Sequence, residues 1–291
     1  MNYLLVTAAT LLLAFDFSLS KKYQSLEGSD PLAGLKFNLF IGLFTAIIFF
    51  VISGFKLQFS PFSVILAFAL SLFGMLYSVI GFRILKNGNV ALYSIFLMSG
   101  GMLMPYLFGI AFWDETPTIL RIIGVIIILI AVMLFDFKRS SATKTQILLC
   151  IAVFLLNGFV SIISKYHQIN TTYEMVDSAV FVMYSGMAKC ILSSILLLFN
   201  KGNHTEIKHK FCFKKSLAFY ITVFSALISG VSYLLQLIGA KNLPATVLYP
   251  LVTGGNIIFS SIAGKVFFKE KLNRLQLISI ALCFIGTLLF L

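Results

Sequence analysis

Apolar stretches recur along the whole chain, broken by short polar segments. Each is about 17–25 residues long, which at about 1.5 Å of helical rise per residue is enough to cross a hydrocarbon core of about 30 Å. The pattern predicts ten helices, over residues 3–20, 37–55, 61–82, 90–113, 117–137, 147–164, 178–199, 217–240, 244–268 and 275–291. Turn chemistry marks the breaks: Gly28-Ser29-Asp30-Pro31, Lys86-Asn87-Gly88-Asn89 and Glu115-Thr116-Pro117. Thr116 reads as an N-cap with Pro117 at the first helical position. The longest strongly basic polar stretch runs from Asn200 to Lys215. The fold class expected is therefore all-α, an integral membrane bundle of ten transmembrane helices.

Composition sharpens this. Only 11% of residues are charged and the mean hydropathy is +1.01, whereas a soluble domain carries about 25% charged residues to cover its wet surface. The net charge of +12 would suit a nucleic-acid partner, but no basic stripe with interleaved stacking aromatics exists, which excludes that class. The charge instead sorts by connection. Those after odd-numbered helices hold most of it, from Lys21 and Lys22 through Lys138 and Arg139 to Lys269, Lys271 and Arg274; those after even-numbered helices hold Lys56, Arg121, Lys165 and Lys241. The asymmetry puts the odd connections in the cytoplasm and both termini outside. Lys21 and Lys22 follow the first apolar run and no basic residue precedes it, so the run is a retained span rather than a cleaved leader. Cys150, Cys190, Cys212 and Cys283 lack metal-ligand spacing and read as reduced packing residues. His167, His204 and His209 fall in predicted connections and form no ligand cluster. No Walker motif is present, so ATP is not the direct energy source, and no cofactor or metal is expected.

The two halves of the chain resemble each other. Ser20-Lys21-Lys22-Tyr23-Gln24 matches Ser164-Lys165-Tyr166-His167-Gln168, and Phe37 and Gly42 match Phe181 and Gly186 at the same offset. Farther on, Leu92-Tyr93 matches Leu248-Tyr249, Gly100-Gly101 falls close to Gly254-Gly255, Phe112 and Glu115 match Phe267 and Glu270, and residues 130–135 match 285–290. The offset grows by about eleven, which the longer connection after the seventh helix absorbs, since loops tolerate insertion better than spans. The expected repeats are residues 1–140 and 141–291. Five helices per repeat is odd, so the second enters the membrane inverted, giving a pseudo-two-fold axis in the membrane plane and two open states of similar energy.

Glycine and proline interrupt the fourth helix (Gly100, Gly101, Pro105) and its counterpart, the ninth (Pro250, Gly254, Gly255). Paired breaks of this kind point to a midplane transport site, or else only let helices pack closely. Polar residues at membrane depth are few and expensive: Asp16, Asn157, Lys189, Gln236 and Asn256, with the hydroxyls of Tyr77, Tyr93, Tyr184, Tyr233 and Tyr249. Candidate substrate-binding residues are Asn256, Tyr249, Pro250, Tyr93, Gly100, Lys189, Asn157, Gln236, Tyr233 and Tyr77; Asp16 is the proton-coupling candidate. Asp16 lies close enough to Lys21 to reach the cytoplasmic interface instead. Lys189, with about ten mostly apolar residues on either side, would imply an anionic or carboxylate-bearing substrate if it faced the cavity. Asn157 and Gln236 could equally bridge helices. Glu115 and Glu270 read as caps or ion-pair partners rather than catalytic groups.

Two five-helix halves, one carrying Asp114-Glu115-Thr116-Pro117 with Ile122-Ile123-Gly124 and the other Lys269-Glu270-Lys271-Leu272 with Ile285-Gly286, resemble the EamA-like branch of the drug/metabolite transporter superfamily. The resemblance implies a central cavity lined mainly by the first, third, fourth, sixth, eighth and ninth helices, with Tyr93, Gly100, Tyr249, Pro250 and Asn256 facing it. Ser279 departs from the pattern, standing where the repeat would place a glycine matching Gly124. The function expected is secondary transport without ATP: export or exchange of a small metabolite such as an amino acid, coupled to a proton or counter-substrate, in a bacterial cytoplasmic membrane, with the lipid bilayer as the other partner. An enzyme is not expected. The competing class is a membrane-embedded lipid-handling protein or enzyme, for which only Glu115 and Arg121 come forward.

Overall fold

The computed structural model describes residues 2–28, 31–86, 90–135, 143–199, 213, 215–269 and 272–290. Ten α-helices and no strand occur among them: α1 (Asn2–Glu27), α2 (Pro31–Ile52), α3 (Pro61–Lys86), α4 (Val90–Phe112), α5 (Ile119–Phe135), α6 (Lys144–Ile169), α7 (Ser178–Phe199), α8 (Ser216–Asn242), α9 (Ala245–Phe268) and α10 (Arg274–Leu288). Eight are long and apolar enough to cross a membrane, while α5 and α10 are apolar but shorter. Ser29, Asp30, Asn87, Gly88, Asn89, Lys138, Arg139, residues 200–212 with His204, His209 and Cys212, and Glu270 with Lys271 lie outside the described residues.

Helix ends differ from the sequence expectation where charge was read as connection. α1 runs on to Glu27 and α2 starts at Pro31, because Lys36 Nζ meets Glu27 Oε2 at 2.9 Å with both side chains buried and Tyr23 stacks on Phe37. α6 continues through Lys165 and His167 to Ile169, which puts that histidine inside a helix rather than in a connection. α5 begins at Ile119, with the Thr118 carbonyl accepting from Ile122 N–H, so Thr116-Pro117 precedes the helix instead of capping it. Side-chain capping boxes do start α6, through Thr143 and Gln146, and α10, through Asn273 and Gln276, each satisfying amides that a helix's own ladder leaves open. Pro105 and Pro250 sit inside continuous helices. Each removes one ladder hydrogen bond, and packed neighbours hold the helix through the gap.

The packing has a simple rule. α2 packs on α7, α5 on α10 and α4 on α9; α1 packs on α8 and α9, α6 on α3 and α4, α3 on α7 and α2 on α8. Exchanging each helix for the one five places along the chain turns this set into itself. Small residues make the closest crossings, as expected where dispersion rather than water exclusion drives helix association. A Cβ on Gly42 would lie 2.7 Å from both Gly186 O and Cys190 N, and one on Gly186 2.9 Å from Gly42 O and Ala46 N. Across the α5–α10 crossing, a Cβ on Gly124 would lie 3.0 Å from Gly286 O, and buried Ser279 donates to Ala131 O at 2.7 Å. Serine is thus small enough to take part in that crossing. Cys150 and Cys283 are buried thiols, and Cys190 is half-buried.

Because backbone atoms face Gly42 and Gly186, nothing at this crossing can yield to a side chain. Gly186→Leu should separate α2 from α7 and destabilise the fold by about 1–3 kcal/mol or more, read as a lower unfolding temperature of the detergent-purified protein. Gly54→Ala serves as the control. It faces open space, and its positive φ of 69° limits the expected penalty to about 1 kcal/mol.

Candidate substrate cavity

A cavity of about 610 Å³ lies at the centre of the bundle. Its walls come from α1 (Leu13, Phe17), α3 (Tyr77), α4 (Tyr93 to Gly101), α6 (Asn157 to Ser164), α8 (Tyr233 to Ala240) and α9 (Leu248 to Ser260). Three helices come from each half, in corresponding places, and they are the six that the family resemblance implied.

Seven of the residues singled out in the sequence line this cavity: Tyr77, Tyr93, Asn157, Tyr233, Gln236, Tyr249 and Asn256. Four are not among its described walls. Asp16 takes a hydrogen bond from the Ser225 hydroxyl of α8, which ties α1 to α8, and Lys189 of α7 lies within electrostatic range of it; neither charge is among the described walls. Gly100 lies against the backbone of Phe154, where a Cβ would collide with its carbonyl; its role is the α4–α6 crossing, and its neighbour Gly101 reaches the wall. Pro250 is buried within α9 beside the wall residue Tyr249.

Most polar wall atoms are already engaged. Asn157 Nδ2 donates to Leu97 O at 2.7 Å, the Tyr249 hydroxyl donates to Ser161 O, and the Ser164 and Tyr233 hydroxyls share a 2.9 Å hydrogen bond. Gln236 Nε2 donates to Ser232 Oγ at 3.3 Å. Asn256 is different. It is 8% exposed, and its Oδ1 is buried with no hydrogen-bond partner among the described residues. An unmet buried acceptor is costly, and in a cavity wall it is a ready attachment point for a donor.

Beyond Ala240 and Leu248, two charges hold the α8–α9 corner. Lys165 Nζ, on a residue only 4% exposed, donates to the carbonyls of Ala240 (2.5 Å) and Leu243 (2.6 Å) at the end of α8. Glu115 accepts from the amides of Ala245 (2.7 Å) and Thr246 (2.8 Å) at the start of α9, and the two charges attract each other. Each meets the helix end whose dipole it complements. Glu115 is thus a cap, as its position suggested, but for α9 rather than for its own segment. On the same face, Ser60 donates to Glu174 O at 2.6 Å and Gln58 Nε2 to Asp177 Oδ2 at 2.9 Å. Buried His167 bonds Ser63 Oγ through Nε2 at 2.9 Å, its Nδ1 lies 2.8 Å from Gln168 Nε2, and its ring stacks on Phe181. The connections after α2, α4, α6 and α8 are therefore bridged to one another or to the neighbouring helices.

The family model described as "EamA-like transporter family" matches residues 144–291, just over half of the chain. The chain belongs to that family. It is accordingly a multi-pass integral membrane protein of a family of transporters. A solved structure described only as a crystal structure of a protein superposes with a TM-score of 0.77 at 16% identity, over 99% of this chain and 97% of that one; at that identity the likeness concerns the fold alone. No curated protein matches the chain.

In this EamA-like family member, Ser94, Ser161, Ser164, Thr253 and Ser260 also reach the walls, and the sequence reading missed them. A signal was present. Asn157, Ser161 and Ser164, and likewise Tyr249, Thr253, Asn256 and Ser260, follow the three- and four-residue spacing of one helix face. Serine and threonine were passed over because they are unremarkable in spans when taken singly.

Lys165→Met keeps the length of the side chain and removes its donors, leaving two carbonyls unmet and Glu115 without its electrostatic partner. The expected loss is on the order of 3–5 kcal/mol, measured as a fall in unfolding temperature. Glu115→Gln should lose less, because its amide oxygen still accepts from one of the α9 amides. An unchanged melt for Lys165→Met would contradict this account of the corner.

Proposed function

We propose that this chain is a secondary transporter that exports or exchanges a small metabolite by alternating access, with residues 1–140 and 141–291 as two inverted five-helix repeats. The observation that carries the reading is the cavity: corresponding helices of the two halves enclose it, and a buried amide oxygen in its wall has no partner among the described residues. The helix-exchange rule in the packing supports the repeat. A scaffold made of two near-equivalent halves has two arrangements of comparable energy, one for each side of the membrane. The Lys/Arg asymmetry supports placing the termini outside a bacterial cytoplasmic membrane. In that orientation the bridged end, with Lys165 and Glu115, is the outer gate in its closed form, and the α8–α9 corner is the part that moves away when it opens.

The wall residues Tyr77, Tyr93, Asn157, Tyr233, Gln236, Tyr249 and Asn256 are the substrate-contacting set in this reading. Gly100 and Pro250 shape the helices that carry it. Asp16 remains the proton candidate, acting through its junction with Ser225 and Lys189 rather than by touching the solute. A lipid-handling enzyme would need an acid or an activated nucleophile in the cavity. Among the described residues its walls carry no carboxylate, thiol, imidazole or amine, so no acid or base stands there to activate the wall hydroxyls.

The test is counterflow. Vesicles containing the purified protein, preloaded with a mixed pool of metabolites, should accumulate labelled members of whichever class is carried. Asn256→Leu should slow that uptake about tenfold, as expected for loss of one buried hydrogen bond. Asp16→Asn should abolish stimulation by a proton gradient while leaving counterflow in place. If no class moves through folded protein, the transport reading fails; if Asp16→Asn keeps its proton response, only the coupling assignment fails.

A further inference from the structure

We propose that the cavity takes a solute bearing no formally charged group, anchored by a hydrogen bond from the solute to the Asn256 side-chain oxygen. This rests on the transport reading of the same cavity and narrows it. An ion entering a low-dielectric cavity needs a counter-charge or oriented dipoles to replace its water. Among the described residues no Lys, Arg, Asp or Glu lines the walls. Three charges on the elements around the cavity are engaged elsewhere: Asp16 with Ser225, Lys165 with two carbonyls, and Glu115 with two amides.

Helix ends are the other source of charge complementarity in transporters, where broken spans aim half-helix termini at a substrate's carboxylate or ammonium. That source is closed here as well. α4 and α9 run unbroken through Pro105 and Pro250, and the end of α8 and the start of α9 are already met by Lys165 and Glu115. A zwitterionic amino acid would therefore leave both of its charges unmatched, and the amino-acid expectation from family resemblance gives way to an uncharged solute. Lys189, which would have favoured a carboxylate, is not among the described wall residues.

What the walls do offer is neutral. Asn256 Oδ1 has no donor among the described residues, and four tyrosines supply apolar ring faces together with hydroxyls. Tyr77 and Tyr93 come from the first half of the chain, Tyr233 and Tyr249 from the second. Tyr77 and Tyr233 are 156 residues apart, as are Tyr93 and Tyr249, so each half presents the same pair to the solute. A volume of about 610 Å³ suits a small molecule with an apolar face and at least one hydroxyl, amide or ring N–H donor.

The experiment uses the full-length protein in vesicles and three matched pairs of labelled probes: uridine against uridine monophosphate, glucitol against gluconate, and N-acetylphenylalanine amide against phenylalanine. The expected result is protein-dependent movement of at least one uncharged probe, faster than its charged partner by on the order of a hundredfold, the penalty for an unmatched buried charge. Asn256→Leu should reduce that rate roughly tenfold. Asn256→Asp, of nearly the same volume, should reduce it too and admit the cation tyramine, which the unaltered protein excludes. A charged probe moving as fast as its partner overturns the charge rule and leaves transport standing. Unaltered rates in both Asn256 variants overturn the anchor. No movement of any probe through folded protein overturns this proposal, while the mixed-pool counterflow separately decides whether the chain transports at all.

Discussion

Lys165 and Glu115 hold together the corner on which the cavity depends. α8 ends and α9 begins within three residues of each other, which brings the unmet carbonyls of one helix and the unmet amides of the next into the same small volume. In water such groups would be hydrated. In a bundle embedded in lipid they must find partners inside the protein, and this chain supplies them as side chains from α6 and from the α4–α5 connection. The corner is thereby tied to the rest of the bundle by a buried Lys165 and a half-buried Glu115, each facing a helix end of opposite sign. That places the strongest local electrostatics beside the cavity rather than within it. Among the described residues the walls are left neutral, with amides, hydroxyls and rings available to the solute that the transport reading assigns there.

Close helix crossings supply the second constraint. Gly42 and Gly186 bring the backbones of α2 and α7 together, and Gly100 does the same for α4 against α6. With those contacts fixed, α1, α3, α4, α6, α8 and α9 surround the centre while α5 and α10 pack on each other. The main helix pairings are carried into one another by moving five helices along the chain, and under the repeat reading relative movement of the two halves would exchange one set of similar contacts for another.

Much of this was legible in the sequence because lipid is a demanding solvent. Long apolar runs leave few alternatives to spanning helices, and a polar residue at depth is rare enough to stand out, which is how Asn157, Gln236, Asn256 and the tyrosines were found. Helix ends were legible only where turn chemistry agreed with charge. Lys165 and His167 looked like loop residues because their partners, the carbonyls near α8's end and Ser63 of α3, lie far away in sequence. The relation between Asp16 and Lys189 was out of reach for the same reason, since nothing local reveals that two charges 173 positions apart lie within electrostatic range of each other. Gly100 and Gly101 differ only in which side of α4 they occupy, and a helix uniformly apolar on all sides gives no phase from which to tell.

The central claim is that the cavity communicates in turn with both sides of the membrane. Its most direct test is a single cysteine at Thr253, a wall residue outside the assigned contact set, in a background lacking Cys150, Cys190, Cys212 and Cys283. It is probed with a membrane-impermeant thiol reagent from the outside of intact cells and, separately, on inside-out vesicles. The account predicts modification from both sides, slowed by a transported solute. Modification from one side alone, unchanged by solute, would contradict it.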